Sequence, residues 1–130
     1  MFEVLEHTKK PEIAIKNIYN ILKKGEYCLA SVPFNFHLHD EPNDFYRFTK
    51  YGLELLFNSF SKVQIINRNG WLDSIFVNLI RLEKENYLLS KVTGKLFIII
   101  YFLLYPLIQL LQKIIISDKI TTGYFVVAIK

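Results

Sequence analysis

The chain has 130 residues, about one ordinary domain, of which 52% are hydrophobic, 15% aromatic and 22% charged. That composition excludes a disordered, collagen-like or linker protein. A formal net charge of +4, spread along the chain rather than gathered in one run, speaks against nucleic acid as a partner. The single cysteine, Cys28, excludes an internal disulfide and a cysteine-based zinc site, and fits a reducing compartment. Met1–His7 carries acids where a secretory signal would be basic, and no apolar stretch follows, so no such signal is expected there.

Pro11 to Leu22 predicts an amphipathic helix. Ala14, Ile15, Ile18, Ile21 and Leu22 recur at helical spacing, and Glu12, Lys16, Asn17 and Asn20 fall off that stripe. Pro11 suits the first turn, Lys23 and Lys24 the last turn, where cations complement the helix dipole, and Gly25 the position past the end. Glu26 to Val32 predicts a buried strand closed by Pro33. From Phe34 to Phe48 no period holds, and two histidines, three acids, Pro42, Arg47 and several aromatics crowd together. A loop of this length and chemistry points to function, and its aromatics argue against disorder.

Thr49 predicts an N-cap, and Leu53, Leu56, Phe57 and Phe60 the buried stripe of a second helix. Val63, Ile65 and Ile66 predict a short strand ended by the turn signal Asn69-Gly70. Trp71 to Leu89 has mixed helical character, which Thr93-Gly94-Lys95 breaks. The apolar run Leu96–Ile116 follows, interrupted by Pro106, Gln109, Gln112 and Lys113. Gly123 to Ile129 predicts a final buried strand. This order implies an α/β sheet with helices packed on it. Strands joined by right-handed crossovers would run parallel; the last strand follows an insert, so its direction is open.

Several segments fall in one familiar order: Glu3-Val4-Leu5-Glu6-His7, Lys10-Pro11 and its helix, Leu22-Lys23-Lys24-Gly25, Ser31-Val32-Pro33-Phe34, and His39-x-x-Pro42-x-Asp44-Phe45-Tyr46-Arg47-Phe48-Thr49. Together with the closing Gly123-Tyr124-Phe125-Val126-Val127-Ala128, the set resembles the C-terminal half of a class I S-adenosylmethionine-dependent methyltransferase of the type 11 group. The resemblance implies the last strands of a seven-stranded Rossmann-like sheet whose final strand is antiparallel. Met1–His7 would follow its fourth strand, Glu26–Val32 would be the fifth, Val63–Asn67 the sixth and Gly123–Ile129 the seventh. The family's glycine-rich turn and the acid ending its second strand have no counterpart here, since no Gly-x-Gly occurs in the chain. Those elements hold the methionine part and ribose of the cofactor. The expectation is a partial methyltransferase domain over 1–130, a fragment inactive alone, with a hydrophobic helical insert over 71–119.

The resemblance places Glu3, Glu6, His7, Pro33 and Phe34 in the substrate and cofactor crevice, together with Asp44, Tyr46 and Arg47. Glu3, Glu6 and His7, spaced i, i+3, i+4, would share one face of a helical turn and could hold a divalent ion, with His37 or His39 as a further ligand. Some class I O-methyltransferases that this chain resembles place an ion at such an E-x-x-E-H stretch. The alternative is that these side chains brace the crevice without metal. His39 is the candidate general base. Asp44 and Arg47 either serve the chemistry or pair with each other to fix the loop, with Tyr46 packed on it. Cys28 reads as a small buried hydrophobe, and Trp71 as packing on the core or at the substrate mouth.

The uninterrupted part of the apolar run, Leu96–Ile108, falls short of the roughly 18–20 residues of a span, and Pro106 lowers that case further. Lys91, Lys95, Lys113 and Lys119 flank it and suit anionic headgroups. An interfacial or core-capping helix pair over 96–116 is expected, in a cytoplasmic, peripherally membrane-associated protein. By resemblance the parent enzyme would methylate a small-molecule, lipid or glycan acceptor; the other class of function is a non-catalytic, membrane-associated interaction module or remnant.

Overall fold

A computed structural model describes residues 1–130. The fold is mixed α/β, with one three-stranded sheet and one long apolar helix. The chain divides into two compact units, Met1–Arg68 with Gly123–Lys130, and Asn69–Thr122.

The first unit holds the sheet: β1 (Tyr27–Pro33), β2 (Lys62–Asn67) and β3 (Gly123–Ile129), in the order β1-β3-β2. The last strand pairs antiparallel with both neighbours, Leu29 and Gln64 each lying opposite Val127. β1 and β2 therefore run the same way but do not pair, since β3 lies between them. On the outer edge of β1, Phe2 forms a parallel bridge to Ser31, whose N–H donates to the Met1 carbonyl at 3.0 Å.

Helices α1 (Pro11–Ile21) and α2 (Lys50–Leu56) pack on the face carrying Cys28, Ala30, Val32, Val126 and Ala128, where Ile15, Leu53 and Phe57 complete the core. Burial of each large aliphatic or aromatic side chain here contributes about 1.5–3 kcal/mol. The Thr49 hydroxyl caps α2 by accepting the Gly52 N–H at 3.0 Å, as its position predicts. Cys28 is buried, and burial pushes its thiol up, which suits a packing role. The opposite face of the sheet is mixed, with Tyr27, Leu29, Ile66 and Phe125 exposed beside exposed Lys62 and Gln64.

The end of α1 departs from the sequence expectation. The helix stops at Ile21, which is 79% exposed rather than on the buried stripe, and Lys23 and Lys24 lie beyond it. The cation at its C-terminus is Lys130, whose Nζ donates to the carbonyls of Tyr19 at 2.7 Å and Leu22 at 2.8 Å. Gly25, at φ +85°, turns the chain into β1.

The second unit is a helical hairpin. α3 (Trp71–Ile80) and a 3-10 turn (Arg81–Lys84) lead to α4 (Leu88–Ile114). Thr93-Gly94-Lys95 does not break α4, and neither does Pro106; the helix runs through both. Gly94 is buried because the Glu83 backbone crosses where its Cβ would stand, so the glycine marks a close approach and not a helix end. The resulting 27-residue helix meets the length and composition of a membrane span, which the apolar run read alone does not. Trp71 closes the base of the hairpin, its indole N–H donating to the Ile115 carbonyl at 2.8 Å. Beside it the Asn69 side-chain oxygen takes the Thr122 N–H at 3.1 Å and the Thr121 hydroxyl at 3.2 Å, joining the two ends of the excursion.

Candidate functional site

The site forms where Met1–Glu3 and β1, two parallel segments, both end. A 3-10 turn over Leu5–His7 follows the first, and the loop from Phe34 to Phe48 follows the second. The turn buries Glu6 completely, and its carbonyl accepts the Phe45 N–H at 2.8 Å, which fastens turn to loop. His7 and His39 meet edge to face, their ring centres 5.0 Å apart.

Ring orientation is set by what each Nδ1 faces. His7 Nδ1 lies 2.9 Å from the Asn43 carbonyl, which can only accept, so this nitrogen carries hydrogen. His39 Nδ1 faces Asp44 Oδ2 at 3.3 Å and the His37 carbonyl at 3.4 Å, and carries hydrogen for the same reason. In the neutral rings both Nε2 atoms then present lone pairs. They face Glu6 Oε1 at 3.8 Å and 3.7 Å respectively. Neither carboxyl oxygen of Glu6 has a hydrogen-bond partner. Three acceptor atoms thus converge within 4.8 Å of one another.

The donor set fits a divalent ion. Two imidazoles and one carboxylate, each ring anchored through its other nitrogen by an oxygen, are the arrangement such ions take. The ligands would be Glu6, His7 and His39. Glu3 does not join them, contrary to the i, i+3, i+4 expectation. It precedes the turn, at φ +51°, and its carboxylate accepts from Ser31 Oγ at 2.7 Å and from the Arg68 guanidinium. A helical turn beginning at Glu3 would have aligned the three; the turn begins at Leu5.

Asp44 and Arg47 form a two-pronged pair, with both N–O distances 2.6 Å. Arg47 also donates to the carbonyls of Phe36, His37 and Tyr46, and Asp44 accepts the His39 N–H at 2.9 Å. The Arg47 bonds hold the Asp44 carboxyl well below the usual carboxylate range, and Asp44 in turn pushes the guanidinium up. The pair fixes the loop that carries His39. Tyr46 gives its hydroxyl to the Lys9 carbonyl at 3.1 Å and stacks on Phe48. Pro33 is buried at the end of β1, and Phe34 packs on the core against Tyr124. A cavity of about 640 Å³ between α1 and α2 is lined by residues other than these and gathers no histidine.

Burial pushes the Glu6 carboxyl up, with nearby Glu3 acting in the same direction. A raised folded value means that the fold binds this proton more tightly than the unfolded chain does. The contribution is present below the unfolded value of about 4.3 and is lost as pH rises through the folded one. Glu6→Gln is therefore expected to raise stability by about 1 kcal/mol at pH 8, since its amide can donate to an imidazole lone pair where a carboxylate cannot. Urea unfolding at pH 8 and pH 4 checks this: the gain should shrink at pH 4, and a variant less stable than the parent at pH 8 would contradict the geometry.

No protein-family model matches the sequence, and no curated protein matches it.

Proposed function

We propose that the chain is part of a class I S-adenosylmethionine-dependent methyltransferase domain whose parent acts on a small-molecule, lipid or glycan acceptor. The observation that carries this reading is the antiparallel pairing of the last strand with both of its neighbours, the direction that the sequence resemblance implies for the final strand. Two further features support it. The candidate site stands at the carboxyl ends of parallel segments, where open α/β sheets bind ligands. Helices α1 and α2 pack on one face of the sheet, while Tyr27, Leu29, Ile66 and Phe125 stay exposed on the other, as suits part of a larger Rossmann-like layer.

The residues present do not form a complete cradle for the cofactor, because no glycine-rich turn occurs in the chain. Within the proposal, His39 serves as the base that takes the acceptor's proton, with Glu6 and His7 beside it. A divalent ion at Glu6, His7 and His39 is the second reading, favoured by the anchored Nδ1 atoms of both rings.

Calorimetry tests the proposal. The chain alone is expected to show no micromolar binding of S-adenosylmethionine, and the same chain joined to an upstream glycine-rich strand–turn–helix half is expected to bind it. Tight binding by the isolated chain would refute the partial-domain reading. Failure of the joined protein, once shown to be folded, would refute the methyltransferase reading.

A further inference from the structure

We propose that the helical unit Asn69–Thr122 lies in the surface of an anionic membrane, with α4 parallel to the bilayer plane. The inference stands apart from the methyltransferase reading and rests on an inverted polarity. Asp73 of α3 sits inside the hairpin and accepts from Tyr101 at 3.1 Å, Gln109 at 3.3 Å and Gln112 at 3.0 Å. Burial, followed by the bond to Asp73, pushes the Tyr101 hydroxyl up to about 12. The outward stripe of α4 is aliphatic instead: Leu96, Ile99, Leu103, Leu107, Leu110 and Ile114 recur at helical spacing and are all exposed. In water a helix pair hides its leucines and shows its glutamines; this one does the reverse, as a lipid-facing element does.

The stripe is long and continuous, since 27 helical residues extend about 40 Å. Contiguous exposed apolar surface of this extent marks a binding face. Charge selects the occupant. Exposed Lys91 and Lys95 stand at one end and exposed Lys113 and Lys119 at the other, and each can attract anionic headgroups. Two features favour lying over crossing. The uncharged stretch from Leu96 to Gln112 is about 26 Å long as helix, short of the roughly 30 Å hydrocarbon core. The hairpin tip carries Arg81, Glu83, Lys84 and Glu85, which a crossing would drag through that core.

Flotation of the full chain with phosphatidylcholine vesicles, with and without phosphatidylglycerol, tests the proposal. The chain should float with the mixed vesicles, less at high salt, less with phosphatidylcholine alone, and alkaline carbonate should release it. Leu103→Asp with Leu110→Asp, both at exposed positions, should reduce flotation about tenfold or more while helicity is kept. Lys91→Glu with Lys95→Glu, which touches no packing, should abolish the preference for anionic vesicles. Equal recovery at the bottom of the gradient with and without vesicles would overturn the proposal. So would retention after carbonate, which signals a span, or a stable dimer in solution that ignores vesicles, which signals a second copy on the stripe.

Discussion

Asp44→Ala is expected to cost the folded chain about 3 kcal/mol, the scale of breaking a buried ion pair while leaving one partner behind. The carboxylate is 2% exposed and accepts three hydrogen bonds, two from the Arg47 guanidinium and one from the His39 N–H. Removal leaves the Arg47 guanidinium beside the carbonyls of Phe36, His37 and Tyr46, but without its counter-charge. Asp44→Asn should be nearly as damaging, because an amide cannot receive both prongs of the fork. The pH dependence has a definite sign. A carboxyl held low in the fold contributes stability that is present above its unfolded value, about 3.9, and is lost as pH falls through the folded one. The parent should lose stability below about pH 4, and Asp44→Ala should lack that part of the slope. Urea unfolding across this range measures both, and a variant as stable as the parent at pH 7 would show that the loop is fixed by other contacts.

His39→Ala, made in a form of the protein that binds the cofactor, is expected to lower turnover about a hundredfold or more. Its Nδ1 is committed to Asp44 and the His37 carbonyl, which leaves Nε2 as the atom that can accept a proton. Cofactor affinity should change little. Excess chelator separates the two roles open to this ring. Unaltered activity would leave the base and remove the metal, whereas activity that is lost and then restored by Mn²⁺ would make His39 a ligand. A variant that turns over normally in both conditions would give the residue a structural role alone.

What the sequence discloses of this fold is chiefly local. Thr49, Leu53 and Leu56 of α2 and the apolar runs of the strands are each decided by neighbours within a few positions; Phe57 and Phe60 are buried as expected, but just past the end of α2, which stops at Leu56. The misjudged features depend on distant residues. Gly94 looks like a helix stop until the Glu83 backbone is seen against it, and α1 finds its C-terminal cation at Lys130, more than a hundred residues along the chain. The candidate site divides the same way. Asp44 and Arg47, three apart, can be paired on paper. The meeting of Glu6 and His7 with His39 depends on the loop folding back on the 3-10 turn, and the diversion of Glu3 depends on Ser31 and Arg68. The aliphatic stripe of α4 could be read as periodicity, but its outward direction could not, because that follows from the polar seam around Asp73.

The position of β3 in the middle of the sheet has a consequence for biosynthesis. β1 and β2 share no hydrogen bonds, so a ribosome that has delivered both has delivered no sheet. The strand that joins them is translated only after the whole excursion Asn69–Thr122 has emerged. Until then the nascent chain offers the inner edge of β1, an unpaired β2 and a greasy helix to whatever is nearby, a state that invites chaperones and aggregation alike. Such long-range pairing also makes for slow folding once synthesis has passed residue 129. Any early stop before Gly123 removes the joining strand altogether and leaves β1 and β2 with nothing to connect them.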